Sequence, residues 1–227
     1  MFFGEKLQSL RELNGLSRKE FADKIGVTEQ AVWQYENQYT VPKFEVVNEV
    51  KKMFSVRSQF FYTQPFVKQV SKIESIAYRA EDRDSRKKAK METAFVDFSS
   101  YFLDKFEEKL IPPLNTISAL REEVIKLSNA NSDFDNDSVT LEQIAEHARQ
   151  KLHIHENKEL LYKLEMSGVY ILEKNMGASI DAYSTWTENG KPFIVLGNKK
   201  KSAVRRNFDL AHELGHLLLY LKMNIKR

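Results

Sequence analysis

Hydrophobic positions in the first 62 residues recur at helical spacing and are separated by short polar turns. Leucines in the segment 4–14 share one face, as in a helix packed against a core. Ser17 and Glu20 have capping-box spacing and predict the start of a second helix. Thr28 caps a third helix, and Pro42 precedes a fourth. With a further short helix near residue 60, the pattern predicts five helices in this part of the chain.

The middle of the chain, 66–130, is charged and amphipathic. The mixed-charge run 82–90 predicts a solvated helix face. Aromatic residues then recur at spacings of three and four, which predicts a core stripe on a long helix. These residues are Phe95, Phe98, Tyr101, Phe102 and Phe106. Pro112-Pro113 ends the long helix and another follows at about 114–127, so the sequence predicts a helical connector.

The pattern after residue 139 mixes helical with strand-like segments. Asn189-Gly190 favours a tight turn between two strands, and Ser202 caps a final helix. The predicted helices are 140–152, 156–166 and the one after Ser202; the predicted strands are 168–173, 179–187 and 191–197.

The order of these elements predicts a mainly α fold with a small β-sheet, an α+β architecture. We expect domains at 1–65 and 131–227, joined by a helical connector at 66–130. The 227 residues include no cysteine, which excludes a disulfide scaffold and a thiolate metal site. Neither a leader peptide nor a membrane-length apolar run is visible, so we expect a cytoplasmic protein without a membrane partner. The net charge of +3 does not by itself indicate nucleic-acid binding.

The most specific chemical pattern is His212-Glu213-Leu214-Gly215-His216 on the final helix. Histidines four apart lie on one helix face and can bind one zinc ion, while the glutamate can act as a general base. The alternative is a buried amphipathic helix with two hydrogen-bonded histidines. Gly215 costs about 1 kcal/mol inside a helix relative to alanine. It therefore indicates close approach of a strand or a substrate.

A catalytic zinc site usually has three protein ligands. From 217 to 227 the sequence has no Asp, Glu or His. Three interpretations stay open: a truncated C-terminus, a ligand from elsewhere in the chain, or weak zinc binding. His147, His153 and His155 are the conceivable substitutes, although surface histidines are the simpler interpretation.

The N-terminal segment resembles the lambda-repressor-like helix-turn-helix of the XRE family. The matching residues run from Leu16 to Thr28 and include Val32, Glu36-Asn37 and Pro42. The resemblance implies that the third helix enters the major groove of an operator and that the protein binds double-stranded DNA as a homodimer. Gln38 departs from the family, in which glycine commonly follows Glu-Asn.

On that resemblance, Gln30 and Gln34 are the best base readers, because an amide can pair bidentately with adenine. A helical protein-interaction module is the alternative, favoured by the near-neutral charge and by Glu29. The residues expected to face DNA bases are Thr28, Glu29, Gln30, Trp33 and Gln34, and those expected at phosphates are Ser17, Arg18 and Lys19.

The C-terminal segment resembles the ImmA/IrrE family of zinc metallopeptidases. The matching residues are 144–146, 160–161, 168–171, 190–196 and 206–218. The resemblance implies a zincin-like core, zinc ligation by His212 and His216, and activation of water by Glu213 for attack on a peptide carbonyl. It also implies substrate binding along an edge strand, for which 193–196 is the candidate. A basic cluster, Lys199–Lys201 with Arg205-Arg206, is a solvated loop or a phosphate contact.

Two functions follow from the combined resemblances. The first is a DNA-binding regulator whose peptidase domain cleaves a regulatory protein in a phage, mobile-element or stress-response switch. The alternative is a repressor whose peptidase-like domain is inactive and serves sensing, dimerisation or partner binding. An antitoxin or immunity-type partner protein stays open as a third.

Overall fold

A computed structural model describes residues 1–65, 67–72, 83–110, 115–130, 141–176, 181–198 and 202–223. The predicted Pro112-Pro113 helix end and Lys199–Lys201 lie outside these residues. The chain divides into two compact units, Met1–Glu108 and Lys109–Arg227. The division between them falls inside the predicted connector.

The N-terminal unit is helical, and its helix ends follow the predicted capping residues. Ser17 and Glu20 form both hydrogen bonds of a capping box, and Thr28 Oγ1 accepts from the Ala31 amide. Gly26 ends a helix in the left-handed conformation, with φ of 70°. The helices are α1 Gly4–Leu13, α2 Arg18–Ile25, α3 Glu29–Glu36, α4 Phe44–Phe54, a 3-10 helix Ser58–Tyr62 and α5 Arg83–Glu107.

The core of this unit joins α1 to α4 and receives one face of α5. Phe21 and Phe61 are fully buried, and Phe98 of α5 packs against the same core. Phe102 and Phe106 are 52% and 63% exposed, so the predicted aromatic core stripe is wrong at its C-terminal end. The helix α5 has 25 residues and is about 37 Å long, so it is longer than the 10-residue α1 on which it packs.

Two backbone positions in this unit are unusual. A Cβ on Gly4 would lie 2.1 Å from the Tyr35 carbonyl oxygen, so only glycine lets α1 approach the end of α3. Gln38 has φ of 62°, the left-handed conformation that glycine adopts without strain. The departure from the family's usual glycine therefore places a side chain at a strained position.

The C-terminal unit combines helices with a three-stranded sheet. Ser202 Oγ accepts from the Arg205 amide at the start of the last helix, as predicted. The sheet order is β1-β3-β2, with β1 parallel and β2 antiparallel to β3. The elements are α6 Thr116–Ala130, α7 Leu141–Lys151, a 3-10 helix Asn157–Glu159, α8 Leu160–Met166, β1 Tyr170–Lys174, β2 Ala182–Trp186, β3 Pro192–Gly197 and α9 Ala203–Met223.

The strand β3 is central in this sheet, so the prediction of 193–196 as a substrate-binding edge is wrong. Its residues 192–196 are all buried. A continuous apolar run is typical of a strand covered on both faces and paired on both sides. The helix α9 packs on the sheet and contributes Leu210, Leu214, Leu217 and Leu218 to the core.

Together the two units confirm a mainly α fold with a small β-sheet. None of the helices in the described ranges combines the length and apolarity that crossing a bilayer requires.

Candidate functional site

The predicted DNA-reading residues lie on the outer side of α3 and in the turn before it. Thr28, Glu29 and Gln30 are exposed, and Trp33 is 37% exposed. Gln34 is half-buried. The opposite face carries Val32, which is fully buried. The helix thus presents one polar face with two amides to solvent, as a base-reading helix requires.

Trp33 has an aromatic neighbour that the sequence did not suggest. Its ring stacks on Tyr39 at a centroid distance of 5.0 Å and an angle of 19°. Tyr39 follows the left-handed Gln38, so the chain turns back over the end of α3. The stack fixes the indole against Tyr39 beside the end of α3.

The three predicted phosphate-contact residues surround the start of α2. Lys19 is exposed, and Ser17 is half-buried because its hydroxyl caps the helix. Arg18 already forms an ion pair within the protein, since its Nε lies 2.6 Å from Glu36 Oε2. Its side chain is 37% exposed, which leaves its outer nitrogens at the surface.

Glu36 joins the two elements expected to contact DNA. Its side chain is fully buried, and Arg11 Nε donates to the second carboxylate oxygen at 2.5 Å. Arg11 also donates to the Leu16 carbonyl at 2.7 Å. The two arginines and one carboxylate therefore tie α1, the start of α2 and the end of α3 together.

In the C-terminal unit, three residues of the histidine motif lie close together on α9: His212, Glu213 and His216. The Nε2 atoms of His212 and His216 are 3.0 Å apart. The potential ligand atoms of His212, Glu213 and His216 all lie within 4.8 Å of one another. His212 is exposed and stacks on Phe208, whereas Glu213 is only 6% exposed.

Ser184 is a site residue that the sequence analysis missed. Its hydroxyl lies 2.7 Å from Glu213 Oε2 and 3.2 Å from the Glu213 carbonyl oxygen. Ser184 is on β2, and no local motif marks it, because its proximity to Glu213 arises only when α9 packs on the sheet. The hydrogen bond holds the buried carboxylate in one orientation.

The spacing of the two imidazoles is compatible with binding of one zinc ion. Neutral imidazole is a common zinc ligand, and two Nε2 atoms that lie 3.0 Å apart are close enough for His212 and His216 to hold the same ion. Within the described ranges, the only His, Asp or Glu that joins this pair is Glu213. The structure therefore brings together two imidazoles and one carboxylate, groups that can hold a metal ion.

The other three histidines are placed elsewhere in the unit. His147 Nε2 lies 3.0 Å from Glu123 Oε2, in a contact between α7 and α6. His153 and His155 are exposed, and neither joins the metal-binding group among the described residues. The structure thus brings none of them to His212 and His216.

The predicted basic cluster is partly neutralised within the domain. Arg205 pairs with Asp181 at 3.1 Å and with Asp209 at 3.2 Å. Arg206 pairs with Glu173. The pairs with Asp181 and Glu173 connect the first turn of α9 to the sheet region, whereas the pair with Asp209 lies within α9.

Gly215 borders a cavity, and among the described residues no strand approaches it. Apart from its chain neighbours and the adjacent turns of α9 backbone, no heavy atom of the described residues lies within 4 Å of the position that a Cβ would take. The cavity has a volume of about 630 Å³, and its lining from α7 and α9 includes Ile144, Ala148, Ala211 and Leu218. Of the two causes expected for this glycine, a closely packed strand is therefore wrong among the described residues, and close approach of a substrate stays a prediction.

Comparison with known families assigns each end of the chain. The family model described as helix-turn-helix matches residues 7–59, which include α2 and α3. The model described as the IrrE N-terminal-like domain matches residues 164–222, which include the sheet and the histidine motif. No curated protein and no solved structure matches the chain. The chain therefore joins a helix-turn-helix domain of the XRE type to a peptidase-like domain of the IrrE/ImmA family.

Proposed function

We propose that this protein is a DNA-binding transcriptional regulator whose peptidase-like domain binds zinc and cleaves a regulatory protein. The observation that carries the first part is the exposed polar face of α3 within a matched helix-turn-helix. The second part is supported by the close placement of His212, Glu213 and His216. A cytoplasmic location and a phage, mobile-element or stress-response switch belong to the same proposal.

The reading helix would place its N-terminal residues at base edges in the major groove. Gln30 and Gln34 are one helical turn apart and can read neighbouring bases. Ser17, Arg18 and Lys19 would position the domain by phosphate contacts, which carry no sequence information themselves. Homodimerisation would pair two reading helices with two half-sites.

The DNA-binding part is tested with a duplex selected from a random pool by the wild-type protein. Gln34→Ala should weaken binding to that duplex by about 1–3 kcal/mol and relax its preference at one base pair. Gln59→Ala, a substitution in the 3-10 helix, is the matched control. Equal affinities for the selected duplex in all three proteins would refute the reading role of α3.

The peptidase part assigns separate roles to the residues of α9. His212 and His216 would hold the ion through their Nε2 atoms. A bound zinc ion supplies Lewis-acid polarisation of a peptide carbonyl and lowers the pKa of water. Glu213 would accept a proton from the attacking water at Oε1, while Ser184 holds Oε2.

The substrate would bind along β2, which replaces β3 as the candidate edge. In the described sheet β2 is an outer strand. It also carries Ser184, so it is the strand next to Glu213. An extended peptide that paired with β2 would gain main-chain hydrogen bonds beside the histidine pair.

Metal analysis and cleavage assays with two variants test this assignment. We expect His216→Ala to lose zinc, because one imidazole alone holds the ion weakly. We expect Glu213→Gln to keep zinc and lose cleavage of the regulatory substrate. Wild-type protein without zinc, or cleavage that is undiminished in both variants, would eliminate the metallopeptidase proposal.

One observation favours a second candidate function. Within the described residues, the histidine pair is joined by Glu213 and by no other ligand. If Glu213 ligates the ion, no general base is left beside it. The domain would then bind metal for sensing, dimerisation or partner binding, and both variants would lower zinc content with no cleavage in any of the proteins.

A further inference from the structure

A cluster of cations on α5 lies beside the start of α2, outside the segment matched by the helix-turn-helix model. Arg86, Lys87 and Lys90 line one cleft together with Ser17 and Arg18. The cleft has a volume of about 280 Å³, which accommodates a phosphate group. Nothing in the helix-turn-helix pattern itself requires these three cations.

The packing of α5 against the first helices fixes the position of this cluster. A Cβ on Gly15 would lie 2.8 Å from the Met91 sulfur, so α5 sits directly on the turn between α1 and α2. The same helix also packs on α1. Lys87 and Lys90 therefore project from a helix that is held in place on the DNA-binding domain.

The two lysines each pair with a carboxylate: Glu12 lines the cleft, and Glu20 lies outside its lining. Lys87 Nζ lies 2.9 Å from Glu20 Oε1, and Lys90 Nζ lies 3.7 Å from Glu12 Oε1. Side chains of Lys87 and Lys90 are 33% and 52% exposed, and ion pairs at such positions contribute little stability. A phosphate can therefore share or replace these carboxylates at small cost.

We propose that Arg86, Lys87 and Lys90 bind the DNA backbone and extend the phosphate-contact surface of the helix-turn-helix. The inference rests on the proposed DNA-binding function and deepens it. The start of α2 lies against the sugar-phosphate backbone in this docking mode. Glu29, the first residue of α3, and Ser17 line the same cleft, so the α5 cations face the same strand of the duplex.

The test is the salt dependence of binding by a triple variant, Arg86→Gln with Lys87→Gln and Lys90→Gln. Each phosphate neutralised contributes about 0.9 to the slope of log K against log salt, so three lost contacts reduce the slope by about 2.7. The ratio of wild-type to variant affinity should then fall roughly 40-fold between 50 and 200 mM salt. The loss should be equal for the selected duplex and for a scrambled duplex, because phosphate contacts carry no sequence information.

The matched control removes the same net charge elsewhere, with Lys51→Gln, Lys52→Gln and Lys105→Gln. Two of these residues lie at the end of α4, and Lys105 is 18 positions after Lys87, about 27 Å along α5. We expect the control to keep a slope close to that of the wild type. Circular dichroism of both variants verifies that the helices are intact.

The outcomes separate the two levels of the proposal. Wild-type protein that binds neither duplex overturns the DNA-binding function and this inference with it. Wild-type protein that binds DNA, with the same slope in the test variant and the control, overturns the inference alone.

Inorganic phosphate is titrated calorimetrically as a further probe. Saturable phosphate binding that the test variant loses, with an unchanged DNA slope, would assign the cleft to a free anion and overturn the DNA assignment.

Discussion

Glu36 is the residue whose removal should most damage the N-terminal unit. Its carboxylate is fully buried and receives Arg11 Nε at 2.5 Å and Arg18 Nε at 2.6 Å. Arg11 is itself only 6% exposed, so it cannot be rehydrated without unfolding the contact between α1 and α3. Glu36→Gln removes the charge closest to the buried Arg11 guanidinium, which keeps only the longer contact with Glu12 at 3.5 Å.

Breaking a buried ion pair from one side costs about 3–5 kcal/mol. Whole domains are stable by about 5–15 kcal/mol, so this loss is a large part of the total. With a urea m-value of about 1–3 kcal/mol/M, the unfolding midpoint of the unit should fall by about 1 M or more. The double variant Arg11→Met with Glu36→Leu removes both buried charges. We expect it to recover most of the loss, because apolar replacement of a buried pair is often neutral.

The two tryptophans allow the units to be followed separately. Trp33 lies in the N-terminal unit and Trp186 in the C-terminal unit. Incorporation of 5-fluorotryptophan gives one fluorine signal for each, and urea titration then reports each unfolding transition. The Trp33 midpoint should move in Glu36→Gln and the Trp186 midpoint should not. A Trp33 midpoint within about 0.3 M of the wild type would refute the argument, since it corresponds to less than about 1 kcal/mol.

Three further predictions use the same readout. The hydrogen bond from Lys87, followed by the Ser17 cap, lowers the pKa of Glu20 from 4.5 to about 2. That carboxylate therefore stabilises the fold above pH 4.5, and the contribution is lost as the pH falls towards 2. Glu20→Gln should remove this pH-dependent part, which solvent screening limits to less than about 1 kcal/mol. Gln38→Gly should stabilise the N-terminal unit by about 0.5–1 kcal/mol and so raise the Trp33 midpoint, because φ of 62° strains a side chain there; an unchanged or lower midpoint contradicts this. Gly215→Ala should stabilise the C-terminal unit by about 1 kcal/mol, since a helical alanine would meet open space; destabilisation would show that the cavity is filled in solution.

The helices of the N-terminal unit were predictable because their signals are local. The Ser17–Glu20 capping box, the Thr28 cap and the left-handed Gly26 each act within one turn of chain. The Asn189-Gly190 turn between the two strands was predictable for the same reason, and β2 and β3 pair as a hairpin around it. The histidine motif was also local, since residues four apart on a helix lie on one face.

The sequence-based predictions are wrong where the result depends on which helices and strands pack together. The aromatic spacing predicts a continuous buried face on α5. Only the first part of that face packs on the core, because α1 is shorter than α5. The sequence does not predict that β3 is central, because its parallel partner β1 lies some twenty residues earlier and no local pattern indicates that pairing. The continuous apolar run at 192–196 is the one sign of a central strand that the sequence shows.

The sequence by itself determined the two modules, the helix starts and the three residues of the histidine motif, because caps and helical periodicity act over a few neighbouring residues. Tertiary structure alone decided that Ser184 holds Glu213, that Glu36 joins two arginines, and that α5 carries cations to the start of α2. Each of these contacts joins positions 18 to 67 residues apart. Such contacts form only when packed elements bring distant side chains together, and periodicity along the chain does not encode which elements meet.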